Sequence, residues 1–151
     1  FVRQQAGADG YCQIYIDVRN PARSISCNQA RGLIRKLIAG LRAAGLKRGD
    51  CALIHSFNDV CAPTETVVLL TTQINYSILV LAIIGAGGIF TGSNPSYTPA
   101  ELTHHIKTSQ SKFLFTEPEI LEPLLQAAGK AGISERNLWI FDNLGQDVPQ
   151  G

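Results

Sequence analysis

Apolar positions along the chain fall into short blocks of two distinct periods. Ile14–Val18 is a β-rich run that stops at Asn20-Pro21, which predicts a strand followed by a turn. From Ser26 the period becomes that of a helix. Ala30, Leu33, Ile34, Leu37, Ile38, Leu41 and Ala44 share one face, Ser26 and Gln29 stand at capping-box spacing, and Gly45 supplies a left-handed stop. Cys51–Ser56 is a mostly apolar run of strand length, as expected of a strand covered on both faces. Ile74–Ala86 reads as a helix closed by Gly85–Gly88, and Ile89–Thr91 as a strand.

The second half repeats this rhythm with stronger punctuation. Thr98-Pro99-Ala100-Glu101 opens a helix with an N-cap, a proline at the first helical position and a capping-box Glu, and the helix is expected to run to about Ser109. Lys112–Thr116 reads as a strand, Pro118–Ala131 as a helix stopped by Gly132, and Leu138–Phe141 as a final strand. This alternation from Ile14 to Phe141 predicts an α/β fold: a partial doubly wound, mostly parallel sheet with helices on both faces.

Composition narrows the function classes. Thirteen basic against twelve acidic residues leave a net charge of +1 with no basic stripe, which argues against nucleic acid as a partner. Cys12, Cys27, Cys51 and Cys61 include no Cys-x-x-Cys pair, so reduced thiols in an intracellular protein are expected, with no zinc site or redox dithiol. The chain opens on Phe1 without an initiator Met, and Phe1–Asp9 lacks the basic-then-apolar order of a secretion signal. A cut or processed start, and a protein that is not secreted, are the expectation. No charge appears from Thr66 to Ala100, a length that could hold a membrane span. Thr71, Thr72, Gln73, Asn75, four glycines and two prolines in that stretch favour a buried helix and strand instead.

Each candidate site has a stronger structural explanation. Gly85-Ala-Gly-Gly88 lacks the third glycine of a dinucleotide fingerprint, where Phe90 stands, and closes a helix when it should open one. His104 and His105 are adjacent, so on a helix they point about 100° apart and cannot share a metal; a solvated pair is expected. His55 ends a strand but has no nucleophile motif beside it, and reads as structural. Asn75-Tyr-Ser77 matches a glycosylation acceptor without the secretory context that would give it meaning. No catalytic, cofactor-binding or metal residue is assigned.

Ala30–Asp50, then Leu81–Leu102 with the segment Asn94-Pro-Ser-Tyr-Thr-Pro-Ala-Glu101, then Phe113–Thr116, resemble the N-terminal region of the adenylate-forming (AMP-binding) ligases, nearest the 4-coumarate and fatty acyl-CoA ligase branch. The resemblance spans most of Ile14–Asp142. It implies a parent enzyme that uses ATP and magnesium to convert a small-molecule carboxylate to an acyl-adenylate, then transfers the acyl group to coenzyme A, in the cytoplasm or peroxisome. It also implies that the phosphate loop, the ribose-binding Asp and the catalytic Lys are missing here. On this reading residues 1–151 are an incomplete N-terminal region, inactive alone, binding no cofactor, and poorly soluble for want of its neighbours. The alternative is a small non-catalytic binding or regulatory module on the same scaffold.

The resemblance breaks at Val60–Gln73, fourteen residues with neither helical period nor clean alternation. Val60-Cys61 is compatible with a GTATGT splice donor, Leu70-Thr71 with a CTNAC branch site and Gln73 with a CAG acceptor. Removing the segment joins Asp59 to Ile74 in frame. An insertion, read as a translated retained intron, is therefore expected, with a genuine surface loop as the alternative.

Overall fold

The computed structural model describes residues 13–16, 24–57 and 73–140. The elements in chain order are β1 (Gln13–Ile16), β2 (Ser24–Ser26), α1 (Cys27–Ala43), β3 (Cys51–His55), α2 (Gln73–Ala86), β4 (Ile89–Ser93), α3 (Pro99–Ser109), β5 (Ser111–Thr116), α4 (Leu121–Ala131) and β6 (Leu138–Ile140).

Both helix starts form as their local chemistry dictates. Gln29 N donates to Ser26 Oγ at 3.3 Å while Ser26 N donates to Gln29 Oε1 at 2.8 Å, so each side chain satisfies an amide that the first turn leaves orphaned. Thr98 and Glu101 do the same for α3, with Pro99 just inside it. At the far end of α1, Gly45 adopts φ +98°. Gly45 N–H then reaches Arg42 O at 3.0 Å and Leu46 N–H reaches Leu41 O at 2.9 Å, which brings Leu46 into the core beside Leu41.

Strands β3 to β6 form one parallel sheet in the order β4-β3-β5-β6. Side-chain alternation sorts its two faces. Ala52, Ile54, Phe113 and Phe115 pack with Leu41 of α1 and Leu79, Ala82 and Ile83 of α2. Leu53 and Leu114 pack with Leu102 and Ile106 of α3 and Leu124, Ala127 and Ala128 of α4. Every residue of β3 is buried, as expected of a central parallel strand. This is the anticipated α/β arrangement, with helices on both faces.

Three details differ from expectation. The strand from Ile14 does not open the parallel series: β1 pairs antiparallel with β2, Gln13 opposite Ser26 and Ile16 opposite Ser24, in a separate two-stranded ribbon. So short a return allows a hairpin but not the crossover of a dozen or more residues that parallel pairing requires. The helix expected from Pro118 begins as a single 3-10 turn, Pro118–Ile120, and becomes α-helical at Leu121. Strand β4 continues two residues beyond Thr91, to Ser93.

Val60–Thr72 lies outside the described residues, and Gln73 is the first residue of α2. The described part of the long uncharged stretch becomes α2, β4 and the turn into α3. Among the described residues no helix is long and apolar enough to cross a membrane.

Candidate functional site

The order of the sheet picks out one place for a ligand. From β3 the chain moves to β4 on one side, then α3 carries it across to β5 on the other, so the winding reverses between β3 and β5. In open α/β sheets the crevice beyond the carboxyl ends of the strands at such a reversal is where ligands bind. Here the residues at those ends are His55 and Ser56, Ser93 and Asn94, and Thr116 and Glu117.

Across the reversal, Ser56 Oγ donates a short hydrogen bond to Glu117 Oε1, and both residues are buried. Burial pushes the Glu117 carboxyl above the usual carboxylate range; the charge of Glu119 adds to this, while the Ser56 hydroxyl and the Phe57 N–H oppose it. On the other side of β3, His55 Nδ1 lies 2.9 Å from Ser93 Oγ. His55 is fully buried, and desolvation lowers its pKa to about 4. Its Nε2 is buried without a hydrogen-bond partner. A serine hydroxyl on a histidine nitrogen is the contact of an activated nucleophile, yet a triad also needs a carboxylate on the far nitrogen. With that nitrogen unpartnered, the pair ties β3 to β4 and assembles no triad among the described residues.

An open cleft of about 300 Å³ beside these residues is lined by Ile54, Ser56, Tyr76, Gly92, Ser93, Asn94 and Pro95. Asn94 shapes its rim by accepting from Ser96 N at 2.9 Å through Oδ1 and from Tyr97 N at 3.0 Å through its carbonyl. A Cβ on Gly92 would lie 3.3 Å from both Tyr76 Oη and Phe90 Cζ, so the small residue keeps the strand close to that ring pair. None of the described lining residues is Lys or Arg, and the Glu117 carboxyl next to the cleft is buried. Among the described lining residues there is thus no cation or exposed carboxylate of the kind that a nucleotide triphosphate and its magnesium require. Among the described residues no three His, Cys, Asp or Glu side chains group to hold a metal.

The glycine cluster lies at the opposite end of the sheet. Gly87, at φ +95°, gives its carbonyl to Gly49 N–H at 2.9 Å, and Ile89 N–H reaches Asp50 O at 2.9 Å. A Cβ on Gly88 would come within 3.1 Å of both Ile83 Cγ2 and Leu46 Cδ2. These glycines join two loops at the amino ends of β3 and β4, and they close α2 as the sequence implies. Beside them Lys112 Nζ contacts Asp50 Oδ1 at 2.6 Å, and this bond, with one from Lys47 N–H, holds Asp50 below its ordinary pKa.

The two adjacent histidines diverge, as helical geometry demands, but only His104 is solvated. His105 is half-buried: its Nε2 lies 3.0 Å from Thr91 Oγ1, its ring packs on Tyr97, and burial, with His104 nearby, lowers its pKa. The reason is orientation, because the side of α3 that carries His105 leans on β4. Both histidines, with Tyr97 and Glu101, border a groove of about 590 Å³ along α3. Cys51 is buried and Cys27 partly buried, both as free thiols, while Cys12 and Cys61 lie outside the described residues. Asn75-Tyr-Ser77 falls inside α2. Sequence reasoning passed over Ser56, Ser93 and Glu117; Ser93 ends β4 and the other two directly follow β3 and β5, but which strand ends meet is a matter of sheet order.

Residues 2–147 match the family of AMP-binding enzymes. The chain belongs to that family. Among its relatives, a phenylacetyl-CoA ligase of Aspergillus niger, epaB, is 50% identical over 128 residues, which is 85% of this chain and 21% of that protein. An acyl-CoA ligase of the same species, azaF, is 48% identical over 128 residues, 85% of this chain and 22% of that protein. This AMP-binding chain thus spans about a fifth of the length of the relatives it matches. A solved benzoate CoA ligase from Burkholderia xenovorans superposes with a TM-score of 0.71 at 17% identity, over 91% of this chain and 24% of that one, which establishes a shared fold.

Proposed function

We propose that this chain forms part of the scaffold of a longer acyl- or aryl-CoA ligase. In that enzyme a carboxylate oxygen displaces pyrophosphate from ATP to give an acyl-adenylate, and the thiol of coenzyme A then displaces AMP to give the thioester. The observation that carries the reading is the 50% identity to a phenylacetyl-CoA ligase over a stretch amounting to 21% of that protein. The crevice is consistent with it, since none of its described lining residues is Lys or Arg. Residues 1–151 on this reading are an incomplete N-terminal region in which Val60–Gln73 is an insertion, and the chain works inside the cell. It catalyses neither step alone.

The test is direct. Purified chain incubated with ATP, magnesium, phenylacetate and coenzyme A is expected to release no pyrophosphate above the protein-free rate. Formation of acyl-adenylate by the isolated chain would overturn the assignment.

A further inference from the structure

The net charge of +1 conceals a segregation. The stretch from Arg19 to Arg48 holds eight of the thirteen basic residues and none of the twelve acidic ones. The expectation of no basic stripe, drawn from the total, therefore fails at α1. That helix exposes Arg31, Arg35, Lys36 and Arg42, the turn after it exposes Lys47 and Arg48, and no acidic residue stands among them. No described carboxylate forms an ion pair with the four on α1; the ion pair seen among the described residues is Lys112 with Asp50. On the opposite face of the sheet the signs are mixed: α3 exposes Glu101 and Lys107, and α4 exposes Glu122 and Lys130.

The cations of α1 are arranged. At 3.6 residues per turn Arg31, Arg35 and Arg42 fall within about 40° of one another and form a row about 16 Å long. Arg42 is fixed at its end by bonds to the carbonyls of Gly85 and Ala86, at 3.3 and 3.4 Å. Between this row and Lys36 the exposed crest carries Gly32, Ala39 and Ala43. A Cβ on Gly32 would meet nothing within 4 Å, so no bulky side chain separates the cations from a flat surface laid on the crest. We propose that this face of α1, with Lys47 and Arg48, is a peripheral docking surface for anionic phospholipid, on which the chain rests by charge without entering the bilayer. Four to eight basic residues clustered on an amphipathic helix suit the negative surface of a cytoplasmic leaflet. The shape decides among anionic partners. An exposed helix is convex, which fits a plane, whereas an acidic peptide is held in a groove. A duplex is read by a helix whose crest carries side chains that reach the bases, and this crest is bare. The inference does not depend on the reaction assigned to the chain.

Co-sedimentation of the full chain with vesicles tests it. Binding is expected to vesicles of mixed phosphatidylcholine and phosphatidylserine, to weaken as salt is raised, and to be absent with phosphatidylcholine alone. The triple substitution Arg31→Gln, Arg35→Gln and Lys36→Gln is expected to lower the partition coefficient on the order of a hundredfold, since each cation near an anionic surface contributes roughly fivefold. Its melting temperature is expected to stay that of the parent, because all three side chains are exposed. The control Lys107→Gln, Lys130→Gln and Arg136→Gln removes the same charge from the other side of the sheet and is expected to leave binding unchanged. Equal binding to both kinds of vesicle, or equal loss in the two triple variants, overturns the proposal. So does preference for duplex DNA or polyglutamate over the anionic vesicles in competition, which would make a nucleic acid or an acidic protein the partner.

Discussion

His55 and Glu117 end neighbouring strands, both are buried, and their pKa values move in opposite directions for the same reason, since desolvation disfavours the charged form of each. Their effects on stability are therefore opposed. Unfolded His55 takes up a proton near pH 6.5, while the folded form resists until about pH 4. Stability is lost as pH falls through that window, by up to about 3 kcal/mol from this group at 1.36 kcal/mol per unit. Urea unfolding between pH 7 and 4 measures it, and His55→Gln is expected to flatten the profile. Glu117 behaves in reverse. Its folded pKa lies above 4.5, so its contribution is present at low pH and disappears as pH rises past that value. Glu117→Gln is expected to stabilise the chain at pH 7 and to lose this advantage near pH 4.5; a variant no more stable than its parent at pH 7 would mean that the carboxyl is well solvated.

At the scale of elements, what was legible in the sequence is what is settled within a turn of chain. The capping boxes at Ser26 and Thr98 involve residues three apart, so their spacing alone announces them. Thr98→Ala is expected to cost about 1 kcal/mol in thermal unfolding. The glycine stops at Gly45 and Gly132 are equally local. Pairings between distant segments were not legible. Ser56 and Glu117 are 61 residues apart, and nothing at either position marks the other. The ribbon partner of β1 was hidden because Ser24–Ser26 is three residues long and overlaps a helix cap. His105 was misjudged because the period of α3 shows which residues share a side, but not that this side meets β4. Gly88 marks the limit of local reading in a measurable way: its φ is unremarkable, yet a methyl there would press tightly on Ile83 and Leu46. Gly88→Ala is expected to destabilise the fold by roughly 1–3 kcal/mol through overpacking, whereas Gly129→Ala, with open space around it, is expected to be neutral or mildly stabilising.

For the whole molecule, the fold class was legible because alternating strand and helix blocks have few arrangements that bury both. The crevice was not legible, since it is assembled by strand order. Both sheet edges, β4 and β6, remain open among the described residues, and Ile89, Trp139 and Ile140 on them are 56%, 42% and 50% exposed. Edges of this kind recruit other chains. Concentration-dependent self-association is expected in light scattering, and Ile140→Lys is expected to reduce it.

The place of β3 in the sheet also has a consequence for how the chain is made. This strand leaves the ribosome before either of its neighbours, and it can be completed by neither alone. His55 meets Ser93 across 38 residues, and Ser56 meets Glu117 across 61. The one strand that is buried at every residue among the described ones therefore waits, unpaired, while the next two are synthesised, and the amphipathic α1, completed just before it, is the cover nearest to hand. Long-range parallel pairing of this kind is intrinsically slow. Pulsed hydrogen exchange on stalled nascent chains is expected to find the β3 amides unprotected until β5 has emerged, so that the strand born first among the four is sealed only after the third has been made.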